Sequence, residues 1–353
     1  MNQRHDNLAA RELHLAWWKR TNQRPVIGIY APLPVPFGGL DIEVPPDQIA
    51  ERALRNAEAM AIFRDDKLRV VTINFATAFV PAVAGAGFEY DQHTSWSVPI
   101  ASCAADLKIQ PFDPAHPLFE QYLRRLEPLL ENWSWETYLP GHLDYLGPLD
   151  VISGMLGPET LAFEMMDNPD DVRARALEAA EFLREMLDYE LRLFRQAGFE
   201  DGLTDGFATW MPGRGVRFSE DATALVGEAL YRECFLEADT AWVAGLDSAF
   251  LHMHSGALAT LPGILDVHNL NAIELGNDPN GPPMETLVAA VQQMQAAGKS
   301  VQLSNWERDL TEAELDLIFQ TLSPAGLCIT LQARSLEQAR ELYRRYATDY
   351  SQP

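Results

Sequence analysis

Eight short apolar runs, rich in β-branched residues and set at intervals along the chain, constrain its fold more than any other feature. They are "PVIGIY" (25–30), "RVVTINF" (69–75), "GHLDYLGPL" (141–149), "DGLTDGF" (201–207), "SAFLHMH" (248–254), "NAIEL" (271–275), "SVQLS" (300–304) and "LCITLQ" (327–332). Turn residues bound most of them, as expected of strands. Helical periodicity lies between them, over 48–64, 117–131, 158–166, 169–194, 222–244, 284–297, 311–321 and 335–347. Asn168 is placed to cap the long helix that follows, with Pro169, Asp170 and Asp171 in its first turn. Thr311 and Glu314 have the spacing of a capping box, and Gly198 ends the long helix. Strand and helix alternating eight times predict a parallel sheet, closed as a (β/α)₈ TIM barrel of α/β class. An open doubly wound sheet is the competitor, but no GxGxxG follows the first run. With no linker, repeat or low-complexity tract, 1–353 reads as one domain. Residues 1–24 are a helical extension. The segment 76–140 is an insertion between strands two and three, in which "TSWSVPI" predicts an extra hairpin strand over the barrel mouth.

Lys and Arg total 27 against 51 Asp and Glu, a net charge of −24. Such a chain repels phosphate backbones and anionic lipid, so neither nucleic acid nor a membrane is an expected partner. No apolar run approaches the roughly 20 residues of a membrane span. The three cysteines, Cys103, Cys234 and Cys328, are far apart, which fits a reducing, cytoplasmic setting.

In a barrel, chemistry gathers where strands end. His252 and His254 alternate onto one strand face, with Cα atoms roughly 6.7 Å apart. Two such imidazoles can bind a metal, hold an anion or move protons; equally, they can be hydrogen-bonded members of a polar barrel top. Glu274, late in the next strand, is the candidate third ligand or base. Cys328 begins its strand and reads as a buried structural thiol. Asn74, Asp144, Asp150, Asp205, Asn305, Trp306 and Gln332 fall at or just beyond strand ends. "TWMPGRGVRFSED" (209–221) adds Trp210, Arg214, Arg217 and Asp221. Its arginines could grip an anionic ligand or pair with surface carboxylates. Asp144 and Asp221 are expected to orient substrate, and Trp96 and Trp210 to wall the pocket.

"YLGPLDVISGMLGPETLAFEMMDNPDDV" and "FLHMHSGALATLPGILDVHNLNAIEL" resemble the uroporphyrinogen decarboxylase superfamily, which also includes cobalamin-linked methyltransferases. "NFATAFVPAVAGAGFEYDQHTSW" and "PPMETLVAAVQQMQAAGKSVQL" look most like a less characterised, decarboxylase-like branch. The resemblance covers roughly residues 70–347. It implies a (β/α)₈ barrel, often a homodimer, and an enzyme. The decarboxylases carry an arginine-rich segment after strand one, where this chain has "GIYAPLPVPFGG", and a tyrosine near the position of Gly154. In the zinc methyltransferases His-x-Cys lies on strand five and a further Cys ends strand eight. Here His252 matches the first ligand, His254 replaces the cysteine, and Gln332 lies near the last. The resemblance therefore implies methyl transfer, linked to a corrinoid or thiol and assisted by zinc, on a small polar or anionic substrate. A corrinoid protein is an expected partner. Decarboxylation, metal-dependent hydrolysis and a non-catalytic ligand-binding barrel are the alternatives.

Overall fold

The structure, a computed structural model, describes residues 6–34, 39–305 and 308–350. Trp306 lies outside them. Among the described residues the strands are β1 (Val26–Tyr30), β2 (Val70–Val71), β3 (Gly87–Tyr90), β4 (Ser95–Val98), β5 (Leu139–Pro140), β6 (Tyr145–Leu146), β7 (Gly202–Thr204), β8 (Trp210–Pro212), β9 (Gly215–Ser219), β10 (Ser248–His254), β11 (Ala272–Gly276), β12 (Ser300–Ser304) and β13 (Leu327–Gln332). Seven of them form one sheet, ordered β1-β13-β12-β11-β10-β9-β6, with every neighbouring pair parallel. β2 and β5 form a separate parallel pair, and Gly141 bridges Thr204 in parallel. The chain is thus α/β, with helices between the strands.

Alternation divides these strands into two sets of side chains. Val216, Phe218, Leu251, Met253, Ile273, Leu275, Val301, Leu303, Ile329 and Leu331 are buried in the apolar core. The register aligns Ser219 with His252, His252 with Glu274, Glu274 with Gln302, and Gln302 with Cys328. Partners across a parallel ladder point the same way, so a polar row crosses the other face at one level. Both faces are covered, as in parallel sheets generally.

The helix Asn7–Trp18, capped by the Asp6 carboxylate, packs where these strands begin. Trp17 Nε1 donates to Val301 O at 3.3 Å, and Ser300 Oγ donates to Trp17 O at 2.8 Å. The free edge of β1 is met by side chains rather than a strand. Ile27 N donates to Asp66 Oδ2 at 2.9 Å and Ile29 N to Asp65 Oδ2 at 2.8 Å. Two carboxylates thereby satisfy donors that would otherwise face an open edge.

Several sequence expectations change. The run 201–207 supplies β7, which turns back antiparallel on β8; the strand that pairs with β10 is instead β9, which none of the eight runs covers. Its Gly and Arg obscured a two-residue alternation in which Val216 and Phe218 face the core. The run 141–149 ends as a helix, Pro148–Leu156, because Pro148 occupies a first-turn position after Gly147. The single helix read over 222–244 is three short pieces, Asp221–Leu225, Glu228–Cys234 and Leu236–Trp242. The last helix stops at Tyr343, before a π turn. Asn168 precedes Pro169–Gln196 but makes no side-chain cap; its Nδ2 donates to Glu164 instead, at 3.1 Å. The capping box of Thr311 and Glu314 is present. "TSWSVPI" does form a hairpin strand, β4, paired with β3.

Candidate metal centre and adjoining cavity

β10 delivers His252 and His254 to one place, with ring centroids 5.0 Å apart and planes at 80°. Asp221, in the turn after β9, meets both. Its Oδ1 lies 3.8 Å from His252 Nε2 and 3.6 Å from His254 Nε2. One ligand atom from each of the three residues falls within 4.8 Å of the others. Asp221 Oδ1 is buried and has no hydrogen-bond partner.

A carboxylate stands behind each imidazole. Asp278 Oδ1 accepts from His254 Nδ1 at 2.7 Å, which leaves the lone pair on Nε2. Asp278 Oδ2 accepts from Ser255 N at 2.8 Å and Ser255 Oγ at 2.6 Å. Burial lowers the His254 pKa, but Asp278 and Asp221 outweigh it and hold the value above the ordinary one. His252 Nδ1 lies 3.2 Å from Glu274 Oε2, close in charge terms but without hydrogen-bond alignment. Glu274 is fully buried and is held by Arg217 Nε at 3.1 Å, by Arg217 Nη2, and by Ser304 Oγ at 2.5 Å. Burial opposes its ionisation; Arg217, His252 and Ser304 overcome that and keep its carboxyl far below the usual range.

The Asp221 turn is itself anchored. Asp221 N and Ala222 N both donate to the Asp150 carboxylate at 2.8 Å. Glu220, buried beside them, accepts from Asp150 N at 3.2 Å. Gly147 passes so close to the Glu220 carboxyl that no side chain fits there.

Next to this group is a cavity of about 290 Å³, bordered by Asn74, His142, Asp144, Asp205, Phe207 and Arg217 among others. Arg217 links the two: it touches Glu274, lies 3.7 Å from Asp144, and stacks 3.6 Å above the Phe207 ring. His142 sits beneath, its Nε2 accepting from Arg217 N at 3.2 Å.

The structure therefore brings together His252, His254, Glu274 and Asp221, and places Asn74 and Asp144 on the adjoining cavity. Glu274 stands behind His252, not among the three facing atoms, while Asp221 faces both Nε2 atoms. The other expected residues lie elsewhere. Trp210 is buried against Trp135 and Phe199, under Arg11. Arg214 precedes β9, at the end opposite Asp221, and pairs with Asp188 on the long helix. Trp96 is exposed on β4 and donates to Glu89 at 3.0 Å. Asn305 is buried and bonds the Thr330 backbone and Asn277. Gln332 ends β13 with Oε1 buried and unpaired. Asp278 and Ser304 were not singled out from sequence, although Asp278 follows β11 just as Asp221 follows β9. No family model and no curated protein matches this chain.

Two buried carboxyls give stability a distinct pH dependence. Burial pushes Asp205 up to about 7, against the pull of Arg217, and Glu190 up to about 7 despite bonds from Tyr122 and Leu143. Unfolded, both release protons near pH 4. Between about 4 and 7 the folded chain holds more protons, so stability falls as pH rises through that window. Urea denaturation at about pH 5.5 and at about pH 8 is expected to give the higher midpoint at the lower pH. Asp205→Asn is expected to reduce the difference.

Proposed function

We propose that the chain is a metal-dependent enzyme built on a closed (β/α)₈ barrel of the uroporphyrinogen decarboxylase type, acting on a small polar molecule at the strand C-terminal ends. The observation that carries this is the convergence of His252 Nε2, His254 Nε2 and Asp221 Oδ1, with an acidic partner behind each imidazole. Two nitrogens and one oxygen fit zinc or a similar divalent ion with open coordination positions. The unpaired Asp221 Oδ1 and the tautomer set by Asp278 are what such a site requires. Such an ion would act as a Lewis acid toward a substrate oxygen or thiol. Closure of the barrel is supported by the β2–β5 pair, the Gly141–Thr204 bridge and the carboxylate stitches at the β1 edge.

The chain's own groups divide the work. Asp278 fixes the His254 ring, and Glu274 places a negative charge beside His252. Asp150 holds the Asp221 turn. Arg217 and Asp144 face the cavity where substrate would lie. Methyl transfer, from or to a thiol or corrinoid, is the reaction the resemblance favours, because His252 stands at its first zinc-ligand position. Hydrolysis is the second reading, favoured by the thiolate-free donor set, which suits water activation. Tetrapyrrole decarboxylation needs guanidiniums free to hold carboxylates. Arg52 and Arg217, which border the cavity, are already bonded to Asp41 and Glu274.

The test is elemental analysis of the purified protein. The expected result is about one divalent ion per chain, lost in His252→Ala and in Asp221→Ala. Metal-free wild-type protein, after zinc supplementation, would overturn the reading.

A further inference from the structure

The lining of the cavity has an uneven supply of hydrogen-bonding groups. Asp205 is fully buried. Its Oδ1 accepts from Phe207 N and Thr209 N, both at 2.9 Å. Its Oδ2 is buried with no partner, the one such polar atom among the described residues that border the cavity. Asp144 is also short of donors: Arg217 Nη1 is 3.7 Å away, beyond hydrogen-bond range. The arginine and histidine donors nearby are committed, and Asn56 and Thr72 add only neutral ones. Arg52 holds Asp41, Arg217 holds Glu274 with two of its nitrogens, and His142 Nδ1 bonds Leu143 O at 2.5 Å. Three carboxyls, Asp41, Asp144 and Asp205, thus face two arginines whose charge is already used. A buried acceptor left unpaired keeps its desolvation cost uncompensated, more so if charged, and a suitable ligand recovers it.

We infer that this cavity takes a small molecule bearing a protonated amine, its ammonium held by Asp205 Oδ2 and Asp144, rather than a carboxylate or phosphate. A volume of about 290 Å³ is at the lower end for ligand pockets and matches a small metabolite. The acidic balance of the lining favours a cation and repels an anion. The sequence expectation of a small polar or anionic substrate is narrowed accordingly: of the two arginines that suggest an anion, Arg214 is on the opposite end of β9 and Arg217 is bonded to Glu274. Asp205 also supplies a proton link. Burial, set against Arg217 and the bonds from Thr209 and Phe207, with Glu274 opposing them, leaves its pKa at about 7. An ammonium beside it favours the carboxylate and displaces a proton. The ligand class stands on the cavity; calling that ligand the substrate rests on the functional reading above.

Ligand-observed saturation-transfer NMR with three probes tests the inference: ethanolamine, malonate and erythritol, each at millimolar concentration. Ethanolamine is expected to receive saturation and malonate none. Asp205→Asn keeps the Oδ1 acceptor of the turn but places an amide donor at Oδ2. It is expected to weaken ethanolamine binding about tenfold or more. Asp144→Asn, a milder change at the rim, is expected to weaken it in the same direction. Calorimetry in buffers of different ionisation enthalpy is expected to show proton release near pH 7. Binding of malonate or erythritol in place of ethanolamine overturns the inference, as does no binding of any probe, or ethanolamine binding unchanged in a folded Asp205→Asn. His252→Ala separates the two claims: it is expected to lose metal while keeping ethanolamine affinity.

Discussion

Glu274→Ala is expected to lower the unfolding free energy by about 3–5 kcal/mol, the largest loss for any single substitution at the site. The reason is what remains behind. Arg217 is only 2% exposed, so bulk water cannot replace its counter-charge. Its Nε and Nη2 both donate to Glu274 Oε2, and Asp144 is too distant to replace that bond. Removing the carboxylate strands a buried guanidinium and leaves Ser304 Oγ without its acceptor. Glu274→Gln keeps the shape and one acceptor, so its cost is expected to be smaller. Urea titration followed by circular dichroism compares them. The pH dependence supplies a sign. The Glu274 pKa is depressed on folding, so its stabilisation is complete above the unfolded value near 4 and is lost only as pH falls through the much lower folded value. The difference between wild type and Glu274→Ala is therefore expected to persist from neutral pH down past pH 5 or so, and to shrink in stronger acid. A difference that vanished near pH 6 or so would contradict the pairing.

The second large effect belongs to Gly147→Ala. A methyl carbon there would overlap the Glu220 carboxyl and stand 2.8 Å from its Cγ. Glu220 is fully buried between Gly147, the Asp150 backbone and Asp239, so it has nowhere to swing. The turn carrying Asp221 must move instead. Overpacking of this kind costs about 1–3 kcal/mol of stability. The greater consequence is at the proposed metal site, where misplacing Asp221 relative to the imidazoles is expected to weaken the binding of added zinc about 10–100-fold. Competition with a chromogenic chelator measures this. Gly227→Ala is the control, because a methyl group there meets nothing within 4 Å.

What sequence could and could not reveal follows from the range of each interaction. β10 was legible because alternation is local: Phe250, His252 and His254 share a face whatever surrounds them. The capping box at Thr311 was legible for the same reason. β9 was not, because Arg217 reads as solvent-facing until its counter-charge is known. That counter-charge, Glu274, is 57 residues away. The assignment of Glu274 as a third ligand had the right neighbourhood and a different geometry, since pairing register decides which carboxylate stands beside a ring and which faces it. The sequence suggests only that Asp221 orients substrate; its place opposite both Nε2 atoms depends on Asp150, 71 residues earlier. The expectation that Arg214 and Trp210 serve the pocket fails on strand direction. They precede β9, whose direction puts them at the other end.

The alternation along β9 to β13 has a further consequence for how such a chain can change. Odd and even positions on each strand answer to different demands: one set holds the aliphatic packing, the other displays Arg217, His252, Glu274 and Gln302. Neither set has to be altered to rewrite the other. A library that randomises only the polar positions, keeping compensating charges together, should yield folded proteins with new ligand preferences, whereas the same diversity one residue along should yield mostly aggregates.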